Sequence, residues 1–428
     1  MNLTYSQLLR GNRNFRNLFA GQLISELGNW FNYIAGLGLI RLVTDAAPEA
    51  AGILLLSRML PWSLLAPFAG TLADRLSRRQ IMFWTDIARA FLALVFLLVK
   101  TRDDLWIAYS GAVVLSVATA FFDGAKNASV PNIAGREGLL AGTALMFSSR
   151  FLLMAIGSAL GGIASAYFGY EIAFLINAAS FLVSAYSVWL IPEDATRAND
   201  TATREKEPFM SELREGMRYT LTNHFALTIL LMNIVWAIGG GATFLSFEGL
   251  ATKVFGSFDH GPDFIIAALM TANGIGLSVG MLVAHRVSSF VERIGVERGF
   301  IGWSLLVHGA LFAIGGWMPT FWLTAVFVIA SRIVVGAEYA VQETIFQRGL
   351  PDHIRGRITT LDRGAEITVF SLSNLAAGYS LTVISAQLLT TLSGLLAGSS
   401  GLIWFLRQKG AVTETVAGEK LSGAEGQP

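Results

Sequence analysis

Gly70-Thr71-Leu72-Ala73-Asp74-Arg75-Leu76-Ser77-Arg78-Arg79 is a charged break between two apolar runs, at roughly 50–73 and 80–99. Each run has about the ~20 residues that an α-helix needs to cross a bilayer. Two crossings joined this tightly form a hairpin, with Asp74, Arg75, Arg78 and Arg79 held at the membrane surface. Basic residues are retained on the cytoplasmic side, so the arginines fix this turn inside the cell and every other loop is counted from it.

The whole chain carries the same signature. Its 428 residues are 53% hydrophobic and only 14% charged, against roughly 25% charge in a soluble domain. It has no cysteine, which excludes disulfides and thiolate metal sites, and its five histidines show no ligand spacing. The net charge of +1 conceals strong segregation of sign and gives no support to nucleic-acid binding. Gly239-Gly240-Gly241 precedes no strand-to-helix phosphate turn, and no Walker lysine is present. Neither enzyme chemistry nor a metal or cofactor is expected.

Counting outward from the hairpin, the apolar runs read as crossings at about 17–42, 50–73, 80–99, 105–125, 141–167, 172–191, 224–247, 262–286, 297–316, 320–345, 361–384 and 387–406. This predicts an all-α polytopic membrane protein with twelve transmembrane helices and both termini cytoplasmic. The basic residues then left outside are Arg41, Lys100, Arg102 and Lys253. Eleven crossings, or termini outside, would put either Arg75–Arg79 or Arg348, Arg355 and Arg357 on the wrong face. Met1 to Arg16 is polar and basic with no cleavage-type ending, so it is not read as a removable signal.

Residues 192–223 are the only long polar interruption, and they divide the chain into six-helix units at 1–191 and 224–406. The second part of this linker places Phe209, Leu213 and Met217 on one helical face, with Glu212, Arg214, Glu215 and Arg218 elsewhere. That pattern fits an amphipathic surface helix or a solvated spacer. The tail at 407–428 is rich in Gly, Glu, Ala and Thr, and disorder is expected there.

Two internal echoes bind the units together. Gly70 to Arg79 is answered about 210 residues later by Gly280-Met-Leu-Val-Ala284-His285-Arg286, where Ala284 stands in place of the acid. Ser129-Val-Pro131-Asn-Ile-Ala-Gly135-Arg136 is answered about 220 residues later by Gly349-Leu-Pro351-Asp-His-Ile-Arg355-Gly356-Arg357. Two echoes at nearly one offset point to homologous, pseudo-symmetric halves around a central path.

The G-x-x-x-D-R-x-x-R-R loop after the second crossing resembles the signature loop of major facilitator superfamily transporters. Phe121-Phe-Asp123-Gly-Ala-Lys126, the run Gly157-Ser158-Ala-Leu-Gly161-Gly162, Gln347 to Arg357 and the opening Gly21-Gln-Leu-Ile-Ser-Glu26-Leu-Gly28-Asn29-Trp30-Phe31 resemble the branch containing macrolide-type drug exporters and siderophore exporters. The likeness covers roughly residues 10–407. Ser158 departs from the proline of the exporter-type kink, which weakens export as the direction; Gly157, Gly161 and Gly162 fit helix packing as well as a gating kink.

The resemblance implies the major facilitator fold and secondary active transport: proton-coupled export of an amphipathic drug-, macrolide- or siderophore-like molecule across the cytoplasmic membrane, by a monomer. Alternatives are an importer, facilitator or lysolipid flippase of the superfamily, and a non-transporting membrane protein. The resemblance also implies a gate in which Asp74 faces the start of the eleventh crossing, closing the inner side. Arg78 or Arg79 would extend this latch to Asp123, with Gly70 and Arg75 in the same motif.

Charge inside a bilayer costs about 2.5–3.5 kcal/mol per group on insertion scales and persists where it is paired or faces water. By depth, Glu26, Arg150 and Arg332 fall near mid-membrane, with Asn233 as a neutral companion. Glu26, Asn29 and Tyr33 form one polar stripe on the first crossing. Glu26 is expected either to exchange protons or to pair statically with Arg150. Trp236 and Phe244 are candidates for aromatic cavity surface.

Overall fold

The computed structural model describes residues 3–73, 75–197, 209–256, 261–351 and 354–424, with side chains left undescribed at 209, 210, 212, 213, 297, 298 and 408–424. Among these residues every regular element is helical. A short helix, α1 (Tyr5–Gly11), opens on a capping box between Thr4 and Gln7. It is followed by α2 (Arg13–Val43), α3 (Pro48–Ala73), α4 (Arg78–Leu94), α5 (Leu105–Phe168) and α6 (Tyr170–Trp189). The chain continues with α7 (Phe209–Thr222), α8 (His224–Gly241), α9 (Thr243–Gly249), α10 (Gly261–Ile294), α11 (Glu297–Gly315), α12 (Phe321–Arg348), α13 (Arg355–Ser380) and α14 (Ala386–Ala424).

Eight helices among the described residues are long and apolar enough to cross a membrane, where twelve crossings are expected. The difference has a physical origin in each case. The stretch Arg102–Phe168 counts once although it holds two apolar runs, because only Gly135, at φ +70°, breaks its helical backbone. The apolar part of α11, Gly299–Gly315, is short. Glu26, Asn29, Asn32 and Arg41 on α2, and Asp362, Arg363 and Glu366 on α13, dilute the hydropathy of those two helices.

Helices α2 to α6 pack on one another, as do α8 to α14. The two bundles meet mainly where α3 lies against α13 and α5 against α10. Small residues make these seams. A Cβ built on Gly52 of α3 would stand 3.2 Å from the Asn374 carbonyl, and one on Gly274 of α10 would stand 2.6 Å from the Ala155 nitrogen of α5. Large apolar side chains such as Trp84, Phe91, Trp106 and Leu282 project outward, which suits lipid.

The polar stretch at 192–223 contains α7, which lies against α13 through Gly216 and Arg357 and pairs Glu215 with Arg357. The last helix, α14, runs from Ala386 to Ala424.

One crossing is broken. After α8 the chain turns at Ala242, whose N–H donates back to the carbonyls of Gly239 and Gly240, and resumes as α9. It then widens into a π turn over Leu250–Val254, closed by the Phe255 N–H on the Leu250 carbonyl. Below, the end of the molecule bearing residues 75–79 is the basic end, and the other is the Arg41 end.

Candidate functional site

At the Arg41 end one guanidinium ties the bundles together. Arg41, in the last turn of α2, donates through Nε to Glu248 Oε1 of α9 at 2.7 Å and through Nη1 to Asp263 Oδ1 of α10 at 2.8 Å. Tyr170, at the start of α6, donates its hydroxyl to Asp263 Oδ2 at 2.8 Å. Both bundles therefore contribute two helices to the cluster. Gly38, one turn below Arg41, makes the room: a Cβ there would meet the Tyr170 ring at 2.4 Å. Lys253, on the π turn, donates to the Leu381 carbonyl beside the same end.

Deeper in, an aromatic series runs from one bundle to the other. Trp30 and Tyr33 of α2 lie 5.3 Å apart, Tyr33 meets Phe244 of α9 edge-on at 5.6 Å, and Phe244 meets Phe370 of α13 at 5.9 Å. Trp236 of α8 stacks on Phe370 at 6.2 Å. Trp30 Nε1, Tyr33 hydroxyl and Trp236 Nε1 are buried without a hydrogen-bond partner, a condition that costs roughly 1–3 kcal/mol per group unless a ligand or water relieves it. Arg58 of α3 lies over the Tyr33 ring and donates to Asn32 Oδ1 at 2.5 Å.

Toward the basic end of the first bundle, Asp123 of α5 accepts from Lys126 Nζ at 2.6 Å and from Trp62 Nε1 at 3.0 Å. Lys126 also reaches Gln22 Oε1 at 3.3 Å, and Gln22 donates to Glu26 Oε2 at 3.5 Å. Glu26 and Asn29 are half-buried on α2. The expected pairing of Glu26 with Arg150 is not formed among the described residues: Arg150 is exposed on α5, and Glu26 turns to Gln22. Depth counting puts both at one level but carries no information on which way each helix faces.

The bridge from Arg78 or Arg79 to Asp123 is likewise replaced. Arg78 is buried and donates to the carbonyls of Ala73, Ala128 and Thr196, and Arg79 donates to the Trp189 carbonyl at 2.6 Å. These arginines staple the first bundle internally, while Arg75 is exposed. Asp74, with the latch expected of it, lies outside the described residues. Asp86 and Arg89 form a buried pair with the guanidinium between the rings of Phe122 and Phe181.

In the second bundle Asn233 of α8 donates to Asp362 Oδ2 of α13 at 2.8 Å and accepts from Gln342 of α12 at 2.9 Å. Arg332 is buried inside this bundle, donating to Thr243 at 2.9 Å and lying over the Phe312 ring. The structure thus brings Tyr33 against Phe244 and, through Phe370, into one series with Trp236, while Arg332 bonds within the second bundle.

Gly157 and Gly161 face Trp30 and Phe31 of α2, and Gly162 faces Ala267 of α10, where a Cβ would stand 2.2 Å away. The Arg41 end is therefore tightly packed. At the basic end a Cβ on Gly70 of α3, or on Gly364 of α13, would meet nothing within 4 Å. Leu64 and Phe68 of α3 are about half exposed there, at 54% and 48%. The seam between α3 and α13 is closed toward Arg41 and loosens away from it.

Residues 7–411 match the family described as "Transmembrane secretion effector". The chain is 27% identical over 411 residues to the uncharacterized MFS-type transporter YfiS of Bacillus subtilis (strain 168), covering 94% of this chain and 95% of the relative. It is 21% identical over 353 residues to macrolide efflux protein A of Streptococcus pyogenes, covering 81% and 84%. Among solved structures, a bacterial homologue of the iron transporter ferroportin in an inward-facing state superposes with a TM-score of 0.66 at 15% identity, covering 92% of this chain and 98% of the other.

Proposed function

The chain belongs to the transmembrane secretion effector family of the major facilitator superfamily, and on that premise we propose that it is a proton-driven exporter of an amphipathic small molecule working by alternating access. Twelve crossings follow when Arg102–Phe168 is read as two and α2, α11 and α13 are included. The basic end then faces the cytoplasm, both termini lie there, and the Arg41 cluster is an outer gate in its closed state.

The aromatic series Trp30–Tyr33–Phe244–Phe370–Trp236, fed by both bundles and carrying three unsatisfied buried donors, is the observation that supports this reading most. It offers apolar surface with a few hydrogen bonds, beneath a closed outer gate and above a loosened inner seam. An amphipathic molecule entering from the cytoplasmic side or inner leaflet would be held there until the halves rock. Glu26 lines the same path as a proton-exchanging group. The efflux protein among the relatives gives export its preference over import.

The test is efflux of a preloaded amphipathic dye from cells overexpressing the chain, with and without an uncoupler, alongside resistance to a panel of antibiotics. Uncoupler-sensitive efflux supports the reading. Gradient-independent dye movement with uptake of a metabolite would favour the importer or facilitator instead.

A further inference from the structure

Arg58 of α3 is a cation with no acid beside it. It donates through Nη1 to Asn32 Oδ1 of α2 and lies 5.4 Å from the centre of the Tyr33 ring, and among the described residues its guanidinium pairs with no carboxylate. Its other N–H groups bond to nothing there. A guanidinium does not give up its proton in a protein, so the charge stays whatever surrounds it. Arg58 stands ten residues past Pro48, about 15 Å inward from the Arg41 end at 1.5 Å per residue. An unpaired charge at such depth is costly and marks a functional site.

Acids on the neighbouring helices are committed elsewhere. Glu248 and Asp263 hold Arg41, Asp123 holds Lys126, Glu366 holds Arg363, and Asp362 takes Asn233. Glu26 bonds with Gln22 and stands seven residues from Tyr33 along α2, two turns toward the basic end. From the second bundle comes another cation: Arg332 donates to Thr243, the residue before Phe244, lies over the Phe312 ring and leaves Nε buried without a partner.

The neutral polar atoms have the same sense. Trp30 Nε1, Asn32 Nδ2 and Trp236 Nε1, all donors, and the Tyr33 hydroxyl are buried without a partner. Asn374 Oδ1, four residues along α13 from Phe370, is a bare acceptor against them. Donors with a fixed cation among them are satisfied together by a group that brings negative charge and several acceptor oxygens. A cationic amphiphile would meet Arg58 with like charge and leave the donors bare.

We infer that this site takes an anionic amphipathic molecule, with a carboxylate, sulfonate or phosphate head on Arg58 and the Tyr33 hydroxyl and an apolar body against Trp30, Phe244 and Phe370. The oxyanion supplies the acid that Arg58 lacks within the chain, so loading neutralises the site and unloading restores its charge. This substrate class rests on the aromatic series being the transport site of the proposed exporter.

The experiment titrates the purified full-length chain in lipid nanodiscs with two fluorescent amphiphiles of one skeleton, the anionic anilinonaphthalene sulfonate and the neutral phenylnaphthylamine, after subtraction of empty nanodiscs. The wild type is expected to bind the sulfonate at least about tenfold more tightly. Arg58→Gln should abolish that preference without weakening the neutral compound, and Arg58→Lys should keep part of it. Equal binding of the two by the wild type, or a preference that Arg58→Gln leaves intact, overturns the anionic class. Where Arg58→Gln does not fold, Tyr33→Phe carries the test: it keeps the ring, removes one hydroxyl and should narrow the preference, and an unaltered preference overturns the site. Efflux of the two compounds from proteoliposomes separates substrate class from export. A sulfonate preference in binding with no gradient-driven efflux keeps the site and removes proton-driven export, and gradient-driven efflux of the neutral compound with no sulfonate preference does the reverse.

Discussion

Arg41 and Glu248 are 207 residues apart in sequence and 2.7 Å apart in space, and their contact joins the first bundle to the second at the closed end of the molecule. The same guanidinium holds Asp263, so a single cation screens two acids from each other. Removing it leaves both carboxylates facing across the seam. Breaking a buried pair in this way costs about 3–5 kcal/mol, which shifts an access equilibrium by roughly two to four powers of ten. Arg41→Gln is therefore expected to favour the outward-open state, and Glu248→Gln to do so less, because Arg41 keeps Asp263. With no native cysteine in the chain, a single cysteine placed on α9 reports gate opening by its labelling rate. Equal rates in wild type and Arg41→Gln would remove the gate.

Gly162 and Gly364 predict opposite outcomes for similar changes. A side chain at Gly162 runs into Ala267 across the α5–α10 seam, so Gly162→Val should destabilise by about 1–3 kcal/mol of overpacking. Gly364 has open space around it in a helix interior, where Gly→Ala gains about 0.5–1 kcal/mol. Melting temperatures in detergent should fall for the first and hold or rise for the second; the reverse order would contradict the packing described.

For Glu26 the expected outcome follows from its bond with Gln22. Glu26→Gln should abolish uncoupler-sensitive efflux while leaving expression and melting temperature near wild type, since an amide still meets Gln22. Arg150→Met should neither rescue nor mimic it. A large loss of folded protein in Glu26→Gln, restored by Arg150→Met, would mean that the two form a structural pair after all.

Asp86 and Arg89 are the opposite case, a pair with no room for one member alone. Asp86→Asn leaves a buried guanidinium between Phe122 and Phe181 with its counter-charge gone, and about 3–5 kcal/mol of stability should go with it. The double change Asp86→Leu with Arg89→Met should recover most of that. Thermal unfolding of the three variants checks this, and equal losses in the single and double changes would contradict it.

The hairpin loop and the two echoes carried the family and the helical character, because charge placement and repeat offset survive in one dimension. What they did not carry is direction around each helix. Arg150 and Glu26 share a depth yet form no pair among the described residues, and Arg78, with three arginines beside one acid in its loop, turns inward to the carbonyls of Ala73, Ala128 and Thr196 rather than across to Asp123. Arg41 and Lys253 read only as outside charges, since nothing local ties them to partners elsewhere in the chain.

The break at Ala242 and the π turn at Leu250–Val254 leave Glu248 on a short helical piece between two irregular joints. Stiff rods transmit a tilt along their whole length, whereas a rod with a compliant tip can release its end before its body moves. Glu248 can thus part from Arg41 through small torsional changes at either joint, without first dragging α8 and its Trp236 across Phe370 of α13. Such compliance leaves the energies of the end states alone and lowers the barrier between them. The speed of gating and the resting ratio of states are then set by different residues, and evolution can adjust one without disturbing the other.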